Sequence, residues 1–161
     1  MVSRPAALGA MFGVLAAAGL LGLWLAGGDD ARAIALAPDD ASLVADGRAI
    51  YAEACASCHG ADLEGQPNWR QRNADGRLPA PPHDPSGHTW HHPDMVLFAL
   101  TKYGPTALSD GGRYQSDMPG FEGMLDDRSI IAVLSYIKST WPAEIRRRHD
   151  EMNARAIGAM K

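Results

Sequence analysis

From Pro5 to Gly28 the chain carries no charged residue. Leu8, Met11, Phe12, Val14, Leu15, Leu20, Leu21, Leu23, Trp24 and Leu25 are separated only by Ala and Gly. A helix crossing a bilayer core needs about 20 apolar residues, whereas the apolar region of a cleaved signal peptide needs about 7–15. Residues 1–28 therefore read as a membrane-spanning signal-anchor. Arg4 on one flank and Asp29 and Asp30 on the other keep the N-terminus inside and send the rest of the chain out. Ala31-Arg32-Ala33 fits a small-x-small cleavage site, so a cleaved signal peptide stands as the alternative. Both readings deliver an exported domain.

Beyond that segment the hydrophobic spacing is helical wherever it is regular. Residues 29–41 read as a short acidic linker. Ser42 is a plausible N-cap for a helix over Leu43–Ser57, with Leu43, Ala49, Ile50, Tyr51 and Ala54 near helical spacing and Gly60 as the stop. Residues 60–93 hold Gly65, Pro67, Gly76, Pro79, Pro81, Pro82, Pro85 and Gly87 and show little period. So long an irregular stretch suits a segment that is functional or wrapped on a ligand. Pro93 fits the first turn of a helix over Asp94–Tyr103, which Gly104-Pro105 ends. After a second irregular stretch, Asp126 or Asp127 starts the clearest amphipathic helix, with Ile130, Ile131, Val133, Leu134, Tyr136 and Ile137 facing a core and Trp141-Pro142 closing it. The tail 143–161 is helix-compatible and mildly basic. No strand pattern competes, so the fold class is all-α, with the exported domain over residues 42–142.

Composition narrows the function classes. At 161 residues, 46% hydrophobic and 21% charged, the chain is neither disordered nor collagen-like. A net charge of −4 argues against a nucleic-acid partner. Two cysteines cannot staple a disulfide-dense scaffold.

Their spacing carries the chemistry. Cys55-Ala56-Ser57-Cys58-His59 is C-x-x-C-H, the attachment signature of c-type haem. Thiols one helical turn apart lie on one face and can bond both vinyl groups of one porphyrin edge. The next residue, His59, is then carried under the ring, where its imidazole can bind iron. A dithiol redox site wants a βαβ context, zinc wants a second ligand pair, and a disulfide across two residues closes too small a loop to stabilise much.

On these residues the chain resembles the single-haem class I cytochromes c, over about residues 42–141, and more loosely a membrane-anchored bacterial subgroup through Gly87-His88-Thr89-Trp90-His91-His92-Pro93. The resemblance implies three to four helices around one covalent haem c. It implies that Gly47 and Tyr136 let the first and last exported helices cross closely. It places a second axial ligand in Asp117-Met118-Pro119-Gly120-Phe121, making Met118 the partner of His59 on the iron. It assigns the hydrogen bond from His59 to a Pro-rich loop, so the Pro81 or Pro82 carbonyl is expected to accept it.

Among seven methionines Met118 is favoured because an irregular loop with Pro119 and Gly120 can raise a thioether to the far face of a haem. Met124 is its rival, and a histidine is the remaining alternative. His83, His88, His91 and His92 lie within ten positions and would suit copper if they converged, though loop histidines more often bond turns. His149, beside three arginines, reads as a solvated surface residue. Trp69, Arg70, Arg77, Trp90 and Tyr103 are candidates to hold haem propionates, with ordinary packing or surface charge the simpler reading for each.

The expected function is one-electron transfer by a non-enzymatic carrier on the periplasmic side of a bacterial inner membrane, with membrane respiratory complexes as redox partners. Residues 34–142 sum to −6, which favours a basic partner surface. The alternatives are a haem subunit of an oxidase or dehydrogenase complex, docked through the tail 143–161 and the His-rich loop, and a copper-handling protein using that loop.

Overall fold

The computed structural model describes residues 34–109 and 113–159. The apolar segment 1–28, with its anchor and cleavage readings, lies outside the described residues. Among the described residues no helix is long and apolar enough to cross a membrane.

Those residues hold five α-helices and no strand: α1 (Ala41–Ala54), α2 (Ala56–His59), α3 (Asp94–Tyr103), α4 (Asp127–Ser139) and α5 (Ala143–Gly158), with one 3-10 turn at Thr89–His91. The all-α expectation holds. The first helix starts two residues earlier than Ser42 suggests, because Asp40, not Ser42, is the N-cap: its Oδ1 accepts from the amides of Ser42 and Leu43. Asp126 caps α4 in the same way through the Ser129 amide. Pro93 and Pro142 stand at the N-caps of α3 and α5.

The first and fourth helices cross at Gly47. A Cβ there would collide with the Ala132 carbonyl, so only glycine lets the backbones approach this closely. One turn on, Tyr51 and Tyr136 rings lie 5.5 Å apart, and Tyr51 joins Ile130, Val133, Leu134 and Ile137 in the buried core. Gly47 and Tyr136 thus occupy the places that the resemblance assigned them.

Two sequence readings are corrected at the domain's edges. The segment read as a linker over 29–41 is, from residue 34 onward, part of the fold. Leu36 is buried, its amide donates to Asp94 Oδ2 at 2.9 Å, and the Ala37 amide donates to Ser135 Oγ at 3.0 Å. Its acidic look hid one buried leucine and two long-range backbone donors. The tail is likewise no appendage. Its helix docks beside the Thr89–His91 turn through His149, which is fully buried and not solvated. His149 Nε2 donates to the His92 carbonyl at 2.9 Å, and its ring meets Trp141 edge-on at 5.1 Å. The three neighbouring arginines point the local charge outward, while helical periodicity turns His149 inward.

Behind it lies a buried polar knot. Asp94 Oδ1 accepts from Asn153 Nδ2 at 2.9 Å, and the Asp94 amide donates to Asn153 Oδ1 at 2.8 Å. Lys138, buried on α4, reaches Asp150 at 2.6 Å and Asp94 at 3.8 Å. The edge of the N-terminal segment, α3, α4 and α5 therefore share one satisfied network.

Candidate functional site

The C-x-x-C-H motif straddles a break between α1 and α2. At Cys55 the backbone leaves α-helical geometry, with φ −120°, and a new turn opens from its carbonyl, which receives the amides of Cys58 and His59 at 3.1 and 2.9 Å. Helical periodicity alone runs the first helix through to Ser57; the break re-aims the last turn. It leaves Cys55 half-buried, Cys58 exposed and His59 buried. Burial and the neighbouring Cys58 push the Cys55 thiol up to about 11.

His59 is held by one hydrogen bond, from Nδ1 to the Pro81 carbonyl at 2.9 Å. A carbonyl only accepts, so Nδ1 carries the proton and Nε2 keeps its lone pair. Burial lowers the pKa of His59, which keeps the ring neutral against the opposing pull of that bond. Of the two carbonyls expected, Pro81 is the acceptor; the Pro82 carbonyl instead accepts from Thr89 Oγ1 at 3.4 Å. The donor set fits covalent haem: two unpaired thiols one turn apart and a neutral imidazole with its distal nitrogen available.

The Pro81 loop is bolted in place from several directions. Leu63, buried at a positive φ of 68°, turns its carbonyl to the amides of His83 and Asp84 at 2.8 and 3.2 Å. The Trp141 indole donates to the His83 carbonyl at 2.8 Å, and Tyr51 Oη donates to the Gly60 carbonyl at 2.9 Å. In the sequence Trp141 reads only as the end of a helix. A lone buried indole whose N–H must find an acceptor was the signal for its second role.

Met118 is half-buried in the loop before α4, with its amide donating to Ser116 Oγ at 3.1 Å. The loop is pressed onto the end of α3. A Cβ at Gly120 would lie 2.6 Å from the Tyr103 carbonyl carbon, and the amides of Phe121 and Glu122 donate to the carbonyls of Thr101 and Lys102. Met124 is 63% exposed, on the solvent side of the same loop.

The four histidines of residues 83–92 do not gather at one point, although His88 and His92 meet edge-on with ring centroids 5.5 Å apart. His83 stacks on His59 and bonds Thr89, His88 stacks on Trp69 with ring centroids 5.3 Å apart, and His91 stacks on Trp90 at 3.7 Å. Among the described residues no group of three or more His, Cys, Asp or Glu is placed to hold a metal. Several propionate candidates are engaged elsewhere: Arg70 lies over the Trp69 ring at 4.0 Å, Arg77 pairs with Asp117, and the Trp90 indole donates to the Pro85 carbonyl.

A family model described as Cytochrome c matches residues 44–141, from the second turn of α1 to Trp141. Searches of curated proteins and of solved structures gave no match. The matched span takes in the motif, the Pro81 loop, the Met118 loop and the crossing helices. The chain belongs to the cytochrome c family, and with Cys55, Cys58 and His59 in the attachment motif it is a carrier of covalent c-type haem.

Proposed function

We propose that this protein shuttles single electrons at the periplasmic face of a bacterial inner membrane, with His59 and Met118 as the two axial ligands of its iron. The observation that carries the reading is the tautomer of His59, whose ring proton is held on Nδ1 by the Pro81 carbonyl while Nε2 is left for a metal. When bound, haem supplies a one-electron iron couple, and thioether ligation raises its potential. The Gly104–Gly120 backbone contact presses the Met118 loop onto α3, which limits how far the thioether can swing. With His59 and Met118 both engaged no position is open to substrate, so electron transfer and not bond-making is the supported activity.

The apolar run 1–28 supports export and tethering, and a tether would keep the domain at high effective concentration near membrane complexes. The acidic balance of residues 34–142 supports a basic docking surface on the redox partner, met weakly and briefly. The tail gives little support to permanent assembly in a complex, because α5 spends Arg146 on Asp39, His149 on His92 and Asn153 on Asp94 within its own domain.

The test is a visible spectrum of the oxidised and reduced protein purified from membranes. Wild type should show the weak far-red band of Fe(III)–thioether bonding. Met118→Leu should abolish it and Met124→Leu should leave it; the reverse pattern would sink the Met118 assignment.

A further inference from the structure

We infer that His83 is a positioning residue for the iron-binding histidine: its ring, stacked on that of His59, fixes the imidazole plane and biases the couple that His59 serves. The inference rests on His59 being the ligand. The two rings lie 4.0 Å apart between centroids and 21° from parallel. One hydrogen bond at Nδ1 fixes the tautomer of His59 and leaves its ring free to rock about that bond. The flat neighbour supplies the second constraint.

His83 is itself clamped at three atoms. Its amide donates to the Leu63 carbonyl at 2.8 Å, its carbonyl accepts from the Trp141 indole at 2.8 Å, and its Nδ1 lies 2.8 Å from Thr89 Oγ1. Thr89 Oγ1 donates onward to the Pro82 carbonyl, so it receives the proton of His83 Nδ1. The His83 ring is therefore oriented by the core of the fold and lays its π-face on His59. Removing an electron from the iron makes the bound imidazole more positive. A negative π-face against it stabilises that oxidised state by the same attraction that draws a cation to an aromatic ring.

The experiment compares haem-loaded wild type with His83→Leu and His83→Phe, reading the g-values of the oxidised iron by electron paramagnetic resonance and the oxidised-to-reduced ratio at fixed ambient potential. Loss of the flat ring in His83→Leu should alter the g-values and lower the ratio several-fold, whereas His83→Phe, which keeps a ring, should stay near wild type. Two variants that both match wild type, or both shift alike, overturn the proposal. A loss of low-spin iron in both would show that His83 itself binds the metal, which overturns the His59 reading instead. If the leucine variant fails to accumulate, Thr89→Val loosens the ring without removing it. Heterogeneous g-values there support the stack, and sharp wild-type values overturn it.

Discussion

Two histidines of this molecule, His59 and His149, are both buried, both neutral and both bonded to a backbone carbonyl, yet they hold opposite tautomers. His59 gives its Nδ1 proton to Pro81 and keeps Nε2 free. His149 gives its Nε2 proton to His92, and its Nδ1 faces Asn153 Nδ2 at 3.4 Å. One ring is left with a donor atom unspent; the other has both nitrogens engaged within the protein. Whether the second ring nitrogen is left unengaged therefore separates a candidate ligand from a structural residue.

The regions around them differ in the same sense. Around His149 the protein completes itself, with Asp94, Lys138, Asp150 and Asn153 satisfying one another. Around His59 it is built of turns and proline-rich loop. The largest effect should come from withholding the haem. Cys55→Ala/Cys58→Ala should lose much of its helical circular dichroism, because the porphyrin supplies apolar core that the chain lacks. Native-like helicity in that variant would show that the self-completed side suffices to fold the whole.

Breaking the other region should cost stability while leaving the spectrum intact. Asp94→Ala leaves the Leu36 amide without its acceptor, strips Asn153 Nδ2 of its carboxylate and leaves the buried Lys138 with Asp150 alone. Removing one member of a buried charged network costs about 3–5 kcal/mol, to be read from denaturant midpoints of the haem-loaded protein. A change in the visible spectrum of comparable weight would mean that the two regions are not separable.

A smaller effect is expected at the crossing that joins the two regions. Gly47→Ala must push α1 off the Ala132 carbonyl, and overpacking of this kind costs about 1–3 kcal/mol. A variant as stable as wild type would show that the helices can part without loss.

The difference between the regions also explains what could be read from the sequence. The motif, Asp94–Tyr103 and the Asp126 cap are local signals, each carried by a few adjacent residues, and the structure places them as read, as it does Gly47, whose role the family resemblance implied. The carbonyl that receives His59 was narrowed to two adjacent prolines by family resemblance, and only three-dimensional geometry chose Pro81. The knot was invisible because its members lie far apart in sequence: Leu36 pairs with Asp94, and Asp94 with Asn153. Each alone looks like an ordinary surface residue or linker. The His83–His59 stack was hidden in the same way, since a cluster of four loop histidines suggests a shared ligand, and the fold instead lays His83 on His59, His88 on Trp69 and His91 on Trp90.

The smallest effect should be a pH dependence centred on His149. Burial, its largest influence, lowers its pKa below 6.5, and Lys138 pushes the same way, while the His92 carbonyl, Asp94 and Asp150 pull against them. In the unfolded chain the ring takes a proton near pH 6.5, and in the folded chain only at lower pH. Between those two values the unfolded state holds more protons, so stability falls as pH drops through that window and is fully present above it. His149→Gln removes the titration. The stability difference between pH 7 and pH 5 should then be smaller in His149→Gln than in wild type, measured by denaturant unfolding of both haem-loaded proteins. A larger difference in the variant would mean that Asp94 and Asp150 win over burial, so that protonated His149 strengthens the knot it was expected to strain.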